Sequence, residues 1–287
     1  MSEKVNQSKD IFLCAICNIE SGTCNEDCKF CTQSVKYKAD IQRYKQKQIE
    51  QIVEEAKRAR ANNANGFCLV TAGKGLTDKR LEFVVQAAKA VKKENLGLIL
   101  IACNGTASVE QLQTLKEAGV DAYNHNLETA QDFYSQIVTT HSWEERYQTC
   151  KNVKEVGLRL VCGGIFGLGE TQEQRVSMLE SIASLDPMNV PLNFFISNDA
   201  LPIKPSTITR KEAFELISLA KKMIPNAKKI MVAGGRELMF GEEQYKIFEN
   251  GANAFVIGDY LTTAGKSPKE DMEELEKLGF TITRERN

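Results

Sequence analysis

Hydrophobic positions along this chain of 287 residues follow two alternating patterns. The first is a set of short, nearly unbroken apolar runs: IFLCAICNI (11–19), GFCLVTA (66–72), LGLILIAC (96–103), VDAYNHN (120–126), LRLVCGG (158–164), VPLNFFI (190–196), KIMVAGG (229–235) and NAFVIGDY (253–260). Their apolar cores have strand length and many end in Gly, Asn or Thr, which predicts buried parallel strands. The second pattern is amphipathic. Ile49, Ile52, Val53, Ala56 and Ala59 fall at the i, i+3, i+4 spacing of one helix face, and 171–185 and 209–223 repeat the pattern. Ser108 and Gln111 fit a capping box ahead of a helix carrying Leu112 and Leu115. EAGVDAY (117–123) and EVGLRLV (155–161) each place a helix end, a Gly stop and a strand start in one stretch.

Eight such repeats predict an α/β protein, a (β/α)8 barrel over residues 1–287 as one domain; a doubly wound open sheet is the competing topology. In a barrel of this kind, reactive groups belong at the C-terminal ends of the strands and in the loops that follow.

Composition narrows the partners. The net charge is -1 and no Lys/Arg run dominates, so nucleic acid is not expected. No apolar stretch has membrane-spanning length, and the opening MSEKVNQSKD is too polar for a secretory signal, so a cytoplasmic protein is expected. The nine cysteines then suggest metal or redox chemistry rather than disulfides, although a free cysteine is also an ordinary small core residue.

Three of them, Cys24, Cys28 and Cys31, stand in the polar stretch SGTCNEDCKFCTQS (21–34), just after the first predicted strand. Structural zinc sites usually close with four protein ligands, and no histidine follows at finger spacing, since the chain has only His125 and His141. An iron–sulfur cubane held by three thiolates keeps one iron open. The Cys-x3-Cys-x2-Cys loop, with the aromatic Phe30 before its last cysteine, resembles that of the radical S-adenosylmethionine superfamily. That resemblance implies a [4Fe-4S] cluster on Cys24, Cys28 and Cys31, with S-adenosylmethionine on the open iron.

The chain further resembles the biotin synthase family in GFCLVTAG (66–73), YNHNLET (123–129), GGIFGLGET (163–171) and LTT (261–263), in family order over nearly the whole chain. This likeness implies sulfur insertion into dethiobiotin. It gives Phe30, Asn126, Glu128, Arg146 and Gly167 to the cofactor, with Glu128 on the ribose and Arg146 on the carboxylate. It gives Asn124, Asn193, Thr262 and Thr263 to the substrate. Gly163, Gly164 and Gly169 join Gly167 as places of close backbone approach to the adenosyl group, and His125, of opposite parity to the two asparagines, is read as structural. The family also implies an electron donor such as flavodoxin or ferredoxin, and a homodimer.

One departure stands out. Familiar members hold a second cluster, [2Fe-2S], on three strand cysteines and an arginine, and it donates the sulfur. Here Cys68 fits the first position, but Ile101, Val161 and Met231 (or Ile230, if the extra Gly of AGGRE is placed differently) stand at the other three. Cys103 and Cys162 lie close by, and Cys14 and Cys17 lie on the first strand. The expectation is an auxiliary cluster with altered ligands, for which a four-iron form suits a thiol-only set, drawn from Cys68, Cys103, Cys17, Cys14 and Cys162 in that order; core packing is the alternative. Another radical enzyme of hydrogenase-maturase type and a non-catalytic cluster-binding protein are the competing functions.

Overall fold

The structure is a computed structural model and describes residues 10–204, 208–260 and 265–282. Nine strands carry the barrel: β1 (Asp10–Asn18), β2 (Gly66–Val70), β3 (Ile99–Cys103), β4 (Ala122–Asn124), β5 (Arg159–Val161), β6 (Gly164–Phe166), β7 (Asn189–Phe194), β8 (Lys229–Val232) and β9 (Ala254–Val256). Each predicted apolar run supplies one stave. The fifth run is split, because β5 and β6 both pair with β7 and are parted at Cys162 and Gly163. A Cβ on Gly163 would lie 1.8 Å from the Pro191 carbonyl oxygen, so only glycine lets the backbone pass there. All pairings are parallel, and β9 returns to β1 through Phe12↔Ala254 and Cys14↔Val256. That closure gives the expected (β/α)8 barrel and excludes the open doubly wound sheet. A short β10 (Thr281–Ile282) adds alongside the start of β1.

Helices α1 (Ile49–Ala61), α2 (Asp78–Lys93), α3 (Val109–Glu117), α4 (Gln131–Ile137), α5 (Trp143–Glu155), α6 (Gln172–Ser184), α7 (Arg210–Met223), α8 (Arg236–Phe240) and α9 (Pro268–Lys277) complete the described helices, with a 3-10 turn at Gly241–Ile247. The Ser108–Gln111 capping box is present, and Ser142–Glu145, Thr171–Gln174, Thr209–Glu212 and Ser267–Glu270 form four more. Each pairs a hydroxyl and a side-chain carbonyl or carboxylate with otherwise orphaned helix-start amides.

Strand alternation sorts the core into two layers. Outward residues such as Leu13, Phe67, Leu69, Leu100, Tyr123 and Phe255 pack beneath the helices. Inward residues form a separate cluster: Phe12, Cys14, Cys68, Val70, Ile101, Ala122, Val161, Met231, Ala233, Ala254 and Val256, with Cys103 at its edge. The inner cluster therefore contains thiols in an otherwise apolar interior.

Candidate radical cofactor site

The loop after β1 folds on itself. Cys24 N donates to Gln33 O at 3.2 Å and Val35 N to Cys24 O at 2.8 Å, while Cys31 N closes a turn on Cys28 O at 3.0 Å. The Gln33 side chain accepts from Gly22 N at 2.5 Å and Ser21 Oγ at 3.3 Å. The loop is pinned from outside as well. Asp27 accepts from Thr139 N at 2.9 Å, Thr140 N at 3.2 Å and both threonine hydroxyls. Lys29 N donates to Ile137 O at 3.0 Å and Lys29 Nζ to Gln136 O at 2.7 Å. On the other flank Glu20 receives Arg80 in a fork at 2.8 Å on each oxygen, plus Thr23 Oγ1 at 2.9 Å. The three thiols are thus presented by a loop anchored on both sides.

Burial pushes all three thiols up, Cys31 to about 12, and they add to one another, Cys31 raising Cys28 and Cys24 raising Cys31. Three thiolates cannot ionise together there without a positive centre, which is what an iron–sulfur cluster supplies. Among the described residues, no three His, Cys, Asp or Glu side chains converge closely enough for one metal ion. The donor set therefore fits a body with several metal corners better than a lone zinc.

From the end of β4 onward the backbone carries Asn124, Asn126 and Glu128 to the same mouth. Glu128 has φ +69, a left-handed conformation uncommon outside glycine. Its Oε1 receives Arg146 NH2 at 2.6 Å, and Arg146 Nε donates to the Asn126 carbonyl at 2.7 Å. Burial pushes the Glu128 carboxyl up, while Arg146 and the Asn126 amide pull it down. Glu128 Oε2 and Asn124 Oδ1 are buried with no partner within the protein. Orphaned buried acceptors beside a held guanidinium are a fit for a ligand bearing hydroxyl, ammonium and carboxylate groups. Asn126 Oδ1 also accepts from Gly163 N at 3.1 Å. The His125 backbone carbonyl accepts from Cys150 Sγ at 3.2 Å, and its buried ring leaves Nε2 with no partner within the protein.

Other expected residues fall out differently. Asn193 points inward from β7, but its amide already bonds Gly164 O at 3.1 Å and Gly234 N at 2.9 Å, tying β6 to the end of β8. One amide hydrogen and one lone pair stay unused by those bonds. Gly163 and Gly164 are needed for packing: a Cβ on Gly164 would meet Met178 Sδ at 2.3 Å. Gly167 has φ +90, and Glu170 holds its turn by accepting from Gly167 N at 2.8 Å and Leu168 N at 2.7 Å. Phe30 packs, half-buried, against the outer core. Thr262 and Thr263 lie outside the described residues.

Cys68, Cys103 and Cys14 all face the barrel interior. The Cys68 thiol donates to Cys103, which lowers Cys103 and raises Cys68; Cys14 adds a smaller upward push on Cys68. Asn124 Nδ2 lies 3.6 Å from Cys103 Sγ, so Cys103 links the interior thiols to the mouth. Ile101, Val161 and Met231 line the same interior and offer no ligand atom suited to the familiar cysteine–arginine set, so that set does not fit this barrel. Cys17 and Cys162 belong to the outer layer, and their place among the interior candidates is corrected. Cys17 meets Glu55 of α1, and Cys162 lies 3.8 Å from Cys150 Sγ of α5. A strand turns alternate side chains to opposite faces, so Cys14 inside puts Cys17 outside.

Sequence reasoning missed Asp27, His141, Glu170 and the Glu20–Arg80 pair. The acidic Glu26–Asp27 insert between two cysteines was a usable signal, but its partner, TTH at 139–141, lies over a hundred residues away.

A closed parallel barrel with a three-thiol loop over its mouth defines the radical S-adenosylmethionine class. Residues 19–182 match the family model of the Radical SAM superfamily, and residues 191–281 match the Biotin and Thiamin Synthesis associated domain. The biotin synthase of Aliarcobacter butzleri is 64% identical over 95% of this chain and 96% of that protein. That of Campylobacter jejuni subsp. jejuni serotype O:6 is 54% identical over 96% of this chain and 99% of that protein. The chain belongs to the biotin synthase family. In fold it is similar to the FeFe-hydrogenase maturase of Carboxydothermus hydrogenoformans, with TM-score 0.83 and 18% identity over 96% of this chain and 68% of that one. It is also similar to methylornithine synthase, with TM-score 0.80 and 20% identity over 96% of this chain and 84% of that one. Family membership brings a [4Fe-4S] cluster and S-adenosylmethionine with it. Among the described residues no helix is long and apolar enough to cross a membrane.

Proposed function

We propose that the chain forms biotin by inserting sulfur into dethiobiotin, acting as one barrel domain. The observation that carries the reading is the Arg146–Glu128 pair with its orphaned oxygen, together with the anchored thiol loop and the Cys68–Cys103 pair that Asn124 contacts.

Cys24, Cys28 and Cys31 would hold the [4Fe-4S] cluster. Bound there with S-adenosylmethionine, it would supply one-electron reductive cleavage and a 5′-deoxyadenosyl radical able to take hydrogen from an unactivated carbon. The protein's part is placement. Arg146 offers N–H donors to a carboxylate, and Glu128 accepts from ribose hydroxyls. Asn124 and Asn193 suit the donor–acceptor pattern of a cyclic urea. The apolar inner wall of Val70, Ile101, Ala122 and Val161 keeps water from the reacting carbons. No acid or base is required of a side chain.

Cys68, Cys103 and Cys14 support an auxiliary sulfur-bearing cluster with a thiol-only protein ligand set, consistent with a four-iron form. An electron donor of flavodoxin or ferredoxin type, a homodimer and a cytoplasmic setting are proposed from the family alone.

The test is anaerobic reconstitution followed by assay with dethiobiotin, S-adenosylmethionine and a reductant. Biotin should appear together with 5′-deoxyadenosine and methionine; cleavage of S-adenosylmethionine without biotin would refute the substrate. Mössbauer and iron analysis of Cys68→Ser and Cys103→Ser should show loss of the auxiliary cluster only, with Cys17→Ser and Cys162→Ser unchanged. One cluster per chain in a fully active wild type would remove the auxiliary cluster.

A further inference from the structure

His141 sits just ahead of α5, its side chain only 3% exposed. Its Nδ1 is 2.7 Å from Glu26 Oε2 in the thiol loop, and its Nε2 is 3.3 Å from Arg146 NH1. Thr140 Oγ1 approaches Nδ1 at 3.4 Å, and the Tyr134 ring meets the imidazole edge-on at 6.0 Å between centroids. A guanidinium has donors only, so Nε2 must present its lone pair to Arg146. The ring proton therefore belongs on Nδ1, where Glu26 accepts it. The neutral ring is also the form that its surroundings favour. Burial and then Arg146 push its pKa down, against upward contributions from Glu26 and Glu145.

The contacts form a continuous chain: Glu26, between Cys24 and Cys28, to His141, to Arg146, to Glu128 with its orphaned oxygen. Arg146 is held by three nitrogens on three partners, namely Asn126 O, Glu128 and His141. Of these, only His141 reaches back to the thiol loop.

We propose that His141 is a positioning residue for S-adenosylmethionine, fixing the Arg146 guanidinium relative to the thiol loop through its bonds to Glu26 and Arg146. One cofactor molecule must touch both the open iron over the loop and the Arg146–Glu128 pair, so the distance between those anchors has to be set by the protein. The Glu26–His141–Arg146 link sets it. The proposal rests on the reading of Arg146 and Glu128 as cofactor contacts.

The test uses the reconstituted holoenzyme and reads iron per chain, S-adenosylmethionine affinity by equilibrium dialysis, and the response of the reduced-cluster EPR signal to added S-adenosylmethionine. A glutamine amide can donate to Glu26 and accept from Arg146, so His141→Gln should stay within about threefold of wild type. His141→Leu fills space but makes neither bond; it should bind about tenfold more weakly or worse, the worth of one hydrogen bond to a charged group, with iron content unchanged. Glu26→Ala should also weaken S-adenosylmethionine binding without loss of iron, though Glu26 touches neither Arg146 nor Glu128. Wild-type affinity in His141→Leu, or equal losses in the Gln and Leu variants, would overturn the proposal. If circular dichroism shows His141→Leu unfolded, Glu26→Ala decides: unchanged affinity, or a loss of iron that accounts for the whole effect, overturns it. A wild type that holds its cluster but does not bind S-adenosylmethionine would instead remove the cofactor reading of Arg146 and Glu128, and this proposal with it.

Discussion

Replacing Arg146 by methionine removes the charge at the barrel mouth while keeping most of the side-chain volume. The guanidinium makes hydrogen bonds at 2.6 Å to Glu128 and 2.7 Å to the Asn126 carbonyl, and both side chains of the ion pair are 13% exposed. Removing one partner of a buried pair costs about 3–5 kcal/mol, chiefly because the other charge is left uncompensated. The residual exposure places Arg146→Met at the lower end, about 3 kcal/mol. A second substitution, Glu128→Gln, takes away the stranded charge, so the double variant should recover more than half of that loss. The pH dependence has a defined sign. Burial already raises the Glu128 pKa, and losing Arg146 raises it further. A carboxyl whose folded pKa lies above its unfolded value keeps its proton longer in the native state, so stability falls as pH rises through that interval. The deficit of Arg146→Met against wild type should be small near pH 4 and full at pH 8. Urea unfolding of the cluster-free wild type, both single variants and the double variant at these two pH values measures it. A deficit under about 1 kcal/mol, no coupling between the two sites, or a deficit independent of pH would refute the reasoning.

Asp27 gives the opposite pH sign. Burial would raise its pKa, but the bonds from Thr139 and Thr140 outweigh that and hold it well below the usual carboxylate range. Its contribution is present above the unfolded value of about 4 and is lost as pH falls below it. Thermal unfolding of Asp27→Asn should therefore run below wild type at pH 7, with the gap narrowing steadily as pH falls from the unfolded value toward the depressed folded one; a gap as wide at pH 2.5 as at pH 7 would contradict the assignment. Gly163→Ala should lower the melting temperature by on the order of 10 °C or prevent folding, because overpacking against backbone has no side-chain escape. A variant melting within 2 °C of wild type, by differential scanning calorimetry, would show that β5 and β6 can part without cost.

Much of the barrel could be foreseen because its strands are buried on both faces and so read as continuous apolar runs. Where a strand breaks, the sequence was less informative: LRLVCGG looks like one run, and only the Pro191 carbonyl facing Gly163 explains why it is two. The thiol loop was legible because its ligands are adjacent in sequence. The interior thiols were half legible. Parity ruled out Cys14 and Cys17 sharing a face, but which one faces inward depends on the register of β1 against β2 and β9, a long-range property. Asn193 illustrates the same limit, since a polar residue on an apolar strand announces a partner without revealing that its amide also bonds the backbone at Gly164 and Gly234. His141 and Glu26 were invisible as a pair because the contact that joins them spans the fold.

Barrel closure between β1 and β9 also governs how the protein is made. Phe12 has no partner on its outer edge until Ala254 has been synthesised. At roughly 5–20 residues per second, the nascent chain waits on the order of ten to fifty seconds with that edge open. During that interval Cys14, Cys68 and Cys103 face an unsealed interior. The thiol loop, by contrast, gains its anchors at Glu26 and Asp27 as soon as residues 136–141 emerge. The two sets of thiols can therefore be enclosed only at different points of synthesis, the loop once residue 141 is made and the interior once β9 is made.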